Sequence, residues 1–249
     1  MPDSLGAEQV VPLLRGRFGS PYLYAASCES TQRLLTEHHP EGAVAVSEHQ
    51  TAGRGRLGRR WEAPPASSIL CSVLLRPPPA RQLPELSLVG GMATARTVER
   101  AAARPAEIKW PNDVLVGGRK VAGILAEARG AGAVLGIGMS VNQTAGELPA
   151  EPRAPAASLF TVDGARRARA ALLAELLFDL EQLYADWLES GLGSLAAELA
   201  RRDFLRGRHV SVGGVSGRAV GIAPDGRLEL DADGERVLVA SGDVTYGEW

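Results

Sequence analysis

Lysine and asparagine are almost absent from this chain. Of its 27 lysine and arginine residues only Lys109 and Lys120 are lysine, and its two asparagines are Asn112 and Asn142. All four lie between positions 109 and 142. An ammonium is a compact point charge with rotatable donors, which a planar guanidinium does not imitate. The two lysine positions are therefore read as places that need the ammonium itself, with chance placement as the alternative. Cysteine is scarce too. Cys28 and Cys71 are too few for a disulfide framework and imply reduced thiols and a cytoplasmic setting, their simplest role being that of small buried hydrophobes. The four histidines, His38, His39, His49 and His209, show no metal-ligand spacing. No apolar run approaches the roughly 20 residues that span a bilayer, and the N-terminus lacks the pattern of a signal peptide, so no membrane association is expected. A net charge of −2 disfavours a general polyanion binder, and no nucleic-acid partner is expected.

Against these absences stands one dense stretch, Gly53-Arg54-Gly55-Arg56-Leu57-Gly58-Arg59-Arg60-Trp61. It suits neither helix nor strand. Glycine lets the backbone approach a ligand closely, and free amides with guanidinium forks form a receptor for carboxylate or phosphate. The stretch reads as a mobile loop closing over an anionic small molecule. A solvated basic turn and a nucleic-acid contact are the competing readings.

The 249 residues suffice for one large domain, or a large and a small one. Strands are expected at 22–26, 42–47 and 68–75, the last apolar enough to be covered on both faces. Residues 83–103 carry apolar side chains at helical spacing, with Gly90-Gly91 suited to close contact. Residues 107–127 read as a broken strand and a hairpin turning at Gly117-Gly118. The glycine-alternating segment 133–141 reads as a strand approached closely by a ligand or by another strand. Residues 143–160 are a Pro- and Ala-rich loop, and 165–188 an amphipathic helix followed by a second helical stretch at 192–205. From Arg208 onward the helical period disappears, and short strands separated by glycine turns read as a small antiparallel barrel. Ser30 suits a helix N-cap and could also face a ligand. Residues 10–14 can pack on the body of the domain.

Glu29-Ser30-Thr31-Gln32, the run from Gln50 to Trp61, Lys109-Trp110-Pro111-Asn112-Asp113 and Arg119-Lys120-Val121-Ala122-Gly123-Ile124-Leu125 resemble, in order and spacing, the biotin protein ligases. Gly136-Ile137-Gly138-Met139-Ser140-Val141-Asn142 is a weaker match. The resemblance covers about residues 21 to 249. It implies an α+β fold: a mixed β-sheet with packed helices, class II synthetase-like, over residues 1–206, and a C-terminal SH3-like barrel over 207–249. It implies two steps: biotin and ATP form biotinyl-5′-AMP, then a lysine of a biotin carboxyl carrier protein domain, of acetyl-CoA carboxylase or a related carboxylase, takes the biotinyl group. A lipoate ligase or octanoyltransferase, similar in fold, is the alternative within the same chemistry; a non-enzymatic nucleic-acid-binding protein is the alternative outside it.

Carried residue by residue, the resemblance places biotin on Ser30, Thr31, Gln32, Gln50, Arg54, Gly55, Arg56 and Lys120. It places the nucleotide on Gly53, Arg56, Lys109, Asn112, Ser140 and Asn142. Arg56, Lys120, Lys109 and Asp113 are the expected catalytic groups. Mg²⁺ is expected with ATP, on Asp113, which could equally cap a turn or accept the proton of the incoming amine. Trp61 and Trp110 are pocket walls or core. Ser140 departs from the family, where asparagine is common. Residues 1–20 are too few for the DNA-binding module that some members carry, so a ligase without operator binding is expected, as monomer or homodimer.

Overall fold

The computed structural model describes residues 3–149 and 155–247. Seven strands form the main sheet: β1 (Tyr22–Ala25), β2 (Val44–Ser47), β3 (Ser68–Leu75), β4 (Glu107–Lys109), β5 (Asp113–Val116), β6 (Arg119–Arg129) and β7 (Gly132–Ser140). Their spatial order is β1-β2-β3-β7-β6-β5-β4. Only β1 and β2 run parallel; every other neighbouring pair is antiparallel. The expected mixed sheet is thus observed. Every residue of β2 and β3 is buried, because both faces are covered.

One face carries the two long helices, α3 (Leu83–Ala102) and α5 (Arg169–Ser190), numbered after the short α1 (Ala7–Val10) and α2 (Thr31–Leu34) and the five-residue α4 (Leu159–Asp163). Gly90 of α3 lies against β6 and β7, where a Cβ would come 3.1 Å from Leu135 and 3.2 Å from Ile124. The close contact expected of Gly90-Gly91 is made at that residue. On the opposite face a smaller apolar cluster of Leu35, Ala43, Ala45, Leu74 and Val134 packs near α2. That leaves the rest of this face open for a site.

Four local expectations are corrected. The helix expected from 165 begins at Arg169: Ser158 caps the separate α4, Gly164, with φ of 78°, ends it, and Asn142 then holds Arg167 through its N–H and carbonyl in the segment that runs into the extended N-cap Ala168. The loop 143–160 therefore holds a 3₁₀ turn at Ala145–Glu147 and the start of α4, while its residues 150–154 lie outside the described chain. The stretch 192–205 divides into a 3₁₀ turn (Gly191–Leu195) and α6 (Ala196–Arg202). Near the N-terminus Val10 is buried, yet Val11 and Leu13 face solvent.

The C-terminal strands are β8 (His209–Val212), β9 (Val215–Ile222), β10 (Leu228–Ala232), β11 (Glu235–Val239) and β12 (Val244–Tyr246). They form an antiparallel sheet in the order β11-β10-β9-β8-β12. The strand β12 has no counterpart among the strands expected from sequence. Trp110 is 1% exposed and its indole Nε1 donates to the Gly226 carbonyl at 2.9 Å. Of the two roles open to Trp110, the structure selects core: it clamps the small sheet to the large one and borders neither of the two cavities described below. No helix among the described residues is long and apolar enough to cross a membrane.

Candidate active site

The glycine–arginine stretch leaves β2 and folds back on itself. Trp61 N donates to Gly53 O at 3.1 Å, Gly55 N to Arg59 O at 2.8 Å, and Arg59 N to Arg56 O at 3.1 Å. Gly53 is required here, since a Cβ would stand 2.3 Å from the Trp61 carbonyl oxygen. Three of the four arginines of this flap are engaged by carboxylates: Arg54 by Glu127 at 2.8 Å, Arg60 by Glu62 at 3.8 Å, and Arg59 by Asp243 of the C-terminal sheet. Arg56 has no ion-pair partner among the described residues. It reaches only Asn112 Oδ1, at 3.4 Å. Burial lowers its pKa, and Asp243 and Asp113 oppose that shift. A half-buried guanidinium without a counter-ion is a site for an anionic ligand.

Arg56 and Lys120 line one cavity. One end of it is polar and built around the start of α2. Gln50 Oε1 accepts from Thr31 N at 2.7 Å and from Thr31 Oγ1 at 3.1 Å, and Thr31 Oγ1 pairs with Ser72 Oγ at 2.8 Å. Ser30 occupies the N-cap but makes no side-chain capping bond, so the cap expected of its hydroxyl is not formed; Gln50 serves the exposed amide instead. Gln32 is 3% exposed; its Nε2 donates to Leu125 O at 3.1 Å, and its Oε1 has no partner among the described residues. Ser30, Thr31, Gln32, Gln50, Arg54 and Gly55 all border this cavity, whereas Gly53 borders the outer side of the flap.

The floor is made by the alternating glycines of β7. A Cβ on Gly136 would stand 2.7 Å from Gln32 Nε2, and one on Gly138 would stand 2.5 Å from the Trp61 ring. The close approach read from that alternation is real, and Trp61 proves to be a wall of the cavity. Its indole nitrogen is buried without a partner among the described residues. Cys71 also borders the cavity, but burial pushes its thiol up to about 12, so it is an uncharged lining group and not a nucleophile.

At the other end Lys120 Nζ sits 2.8 Å from Asp113 Oδ1 and 5.6 Å from the Trp61 ring. Asn112 donates to Ile124 O at 3.0 Å, fixing its amide with Oδ1 toward Arg56. Lys109 stands apart: its Nζ lies 4.9 Å over the Tyr246 ring of the C-terminal sheet, and it does not border the cavity. Burial depresses its pKa, and neighbouring Lys120 adds to the depression while Asp113 and Asp243 counter it. Ser140 borders a second, wider cavity of 340 Å³ that Trp61 and Lys120 separate from the first, which measures 90 Å³. Asn142 reaches neither. Its amide donates to Arg167 O at 2.9 Å and Asp3 Oδ2 at 3.2 Å and accepts from Arg167 N at 2.9 Å, so it fastens the chain before α5. The nucleotide contact expected of Asn142 is therefore corrected to a structural bond.

Among the described residues no group of three or more His, Cys, Asp or Glu side chains could hold a metal ion. Asp113, the residue expected to carry Mg²⁺, is already paired with Lys120. The donor set does not fit a protein-built metal site. Sequence reasoning also missed two carboxylates, Glu127 and Asp243, that hold the flap. Neither shares a motif with it, and only the fold brings them there.

The profile of the Biotin/lipoate A/B protein ligase family matches residues 24–143, and that of the Biotin protein ligase C terminal domain matches 207–246. The chain is 40% identical over 216 residues to the biotin–[acetyl-CoA-carboxylase] ligase of Mycobacterium tuberculosis, covering 83% of this chain and 79% of that protein. It is 32% identical over 244 residues to the bifunctional ligase/repressor BirA of Bacillus subtilis, covering 92% and 75%. The structure superposes on a biotin protein ligase from Aquifex aeolicus in complex with biotin and ATP with a TM-score of 0.82 at 28% identity, over 90% of this chain and 97% of that one.

Proposed function

The chain belongs to the biotin protein ligase family, and from that premise we propose that it activates biotin with ATP and passes the biotinyl group to a lysine of a biotin carboxyl carrier protein domain, that of acetyl-CoA carboxylase or a related carboxylase. The observation that carries this reading is the shared cavity of Arg56 and Lys120, with a polar end built from Thr31, Gln32 and Gln50.

The chemistry follows from charge. In the first step a carboxylate oxygen of biotin attacks the α-phosphorus of ATP. An O–P bond forms, the bond to the bridging oxygen breaks, and pyrophosphate leaves. Two anions must meet, so fixed positive charge and alignment matter more than proton transfer. Arg56 lacks a carboxylate partner among the described residues and Lys120 has one neighbour, Asp113, so both are placed to take oxygens of the carboxylate and α-phosphate. The unpartnered Gln32 Oε1 suits a ureido N–H, and the amide nitrogen of Gln50, on the border of the same cavity, suits the ureido oxygen. The wider cavity beyond Trp61 and Lys120, with Ser140 on its rim, suits the nucleotide; Asn112, on the border of the first cavity, and Lys109, which borders neither, are assigned to its phosphates by the family match. Mg²⁺ is assigned to the phosphates of incoming ATP, with no protein cage of its own.

In the second step the carrier lysine, as free amine, attacks the acyl carbon of the adenylate. The C–N bond forms, the C–O bond to phosphate breaks, and AMP leaves with the oxygen. The amine must lose a proton, and Asp113 is the carboxylate within the cavity that can take it. A flap closed over the adenylate excludes the water that would hydrolyse it.

The test is biotin-dependent exchange of pyrophosphate into ATP, followed by labelling of a carrier domain with biotin or lipoate offered separately. Exchange with biotin and labelling by biotin are expected. Labelling by lipoate alone, or no exchange, would overturn the assignment.

A further inference from the structure

The C-terminal sheet touches the cationic site at two points on one short element. Asp243 immediately precedes β12 and pairs with Arg59 of the flap, while Tyr246, at the end of β12, lies under the ammonium of Lys109. The turn that presents Asp243 is closely packed on β8. Val244 is in register with Val212 of β8, and Gly242, with φ of 147°, has no room for a Cβ, which would come 2.7 Å from Val212 Cγ1. The flap side is direct as well. Arg59 is bonded through its own backbone to Gly55 N and Arg56 O, so whatever holds the Arg59 side chain holds the backbone that carries Arg56.

From this geometry we infer that Asp243 is a positioning residue for the ligase reaction: through Arg59 it latches the flap and fixes Arg56 over the adenylate. The inference rests on the ligase reading above and adds to it a role for the C-terminal sheet in retaining the intermediate. The two side chains are 55% and 42% exposed, so the pair contributes little to global stability. Its effect is confined to a segment otherwise held by a few loop hydrogen bonds and the Arg54–Glu127 and Arg60–Glu62 pairs. An exposed pair is also weakened by salt, whereas the bond of Gln50 to Thr31 is not.

The measurement is the rate at which full-length protein, loaded with ATP and labelled biotin and without carrier, loses bound adenylate. Asp243→Asn and Arg59→Gln are each expected to speed that loss about two- to fivefold, the range available to an exposed ion pair, with melting temperature unchanged. The charge-swapped double variant, Arg59→Asp with Asp243→Arg, is expected to recover most of the retention, which a merely structural defect would not do. Rising salt should speed loss from the wild type and leave Asp243→Asn nearly unaffected. Loss at the wild-type rate in both single variants, or a swap no better than either, overturns the latch. Absence of biotin-dependent pyrophosphate exchange in the wild type overturns the ligase reading itself, so the two failures are separable.

Discussion

Lys120 and Asp113 form an ion pair at 2.8 Å inside the cavity that Arg56 also borders. One positive charge there is held by a neighbour, and the other is held only by Asn112. This asymmetry orders the expected effects of substitution.

Arg56→Ala and Lys120→Ala are expected to lower biotin-dependent pyrophosphate exchange by about a hundredfold or more, the scale of losing one charge-stabilising donor. Both side chains lie at a cavity edge, so melting temperature should stay near that of the wild type. Near-normal exchange in both variants would remove the mechanism. The Arg56 variant should also release adenylate early, read as biotin labelling of unrelated proteins.

Lys120→Arg is expected not to rescue the alanine variant. The ammonium fits between Asp113 and the face of Trp61, and a planar fork there would have to displace one of them. Exchange kinetics at saturating ATP decide the point.

Gly138→Ala places a methyl 2.5 Å from the Trp61 ring. Overpacking of this kind costs about 1–3 kcal/mol. Movement of Trp61 relieves it, and the KM for biotin should rise. Unchanged KM and melting temperature would mean that Trp61 does not wall the biotin end.

Burial depresses the pKa of Lys109 from its ordinary value of 10.5. The folded protein therefore loses that proton at lower pH than the unfolded chain. By linkage, stability attributable to Lys109 rises with pH between the depressed folded value and 10.5, where the unfolded chain holds more protons. Phosphate binding has the opposite dependence, since it needs the charge. The KM for ATP should climb on the alkaline side at a pH below that of an ordinary lysine, and Lys109→Arg should flatten the climb. A climb of the same shape in both proteins would exclude Lys109 as its source.

Much of this molecule is legible in local pattern. An eight-residue apolar run became β3, and two adjacent glycines became the turn between β5 and β6, at φ of 57° and 72°. The glycines of β7 announced a close approach, and Trp61 and Gln32 make it. Arg56 and Lys120 meet as expected because each sits on an element with its own signature. What stayed hidden was pairing across the chain. Arg59 and Asp243 are 184 residues apart in sequence, Asn142 is claimed by Arg167 and Asp3, and Trp110 by a carbonyl of the other sheet. No periodicity encodes such partners. The start of α5 was misplaced for another reason: the residues before Arg169 are helix formers by composition, but Asn142 bonds both the N–H and the carbonyl of Arg167, and Ala168 is extended.

The indole of Trp110 has a consequence for unfolding. It is wholly enclosed, and its only donor is spent on Gly226 of the smaller sheet. Losing that sheet would expose a large aromatic surface to water and break the Nε1 bond to Gly226. Heating should then melt both sheets together in one calorimetric transition, with adenylate synthesis vanishing at the same temperature.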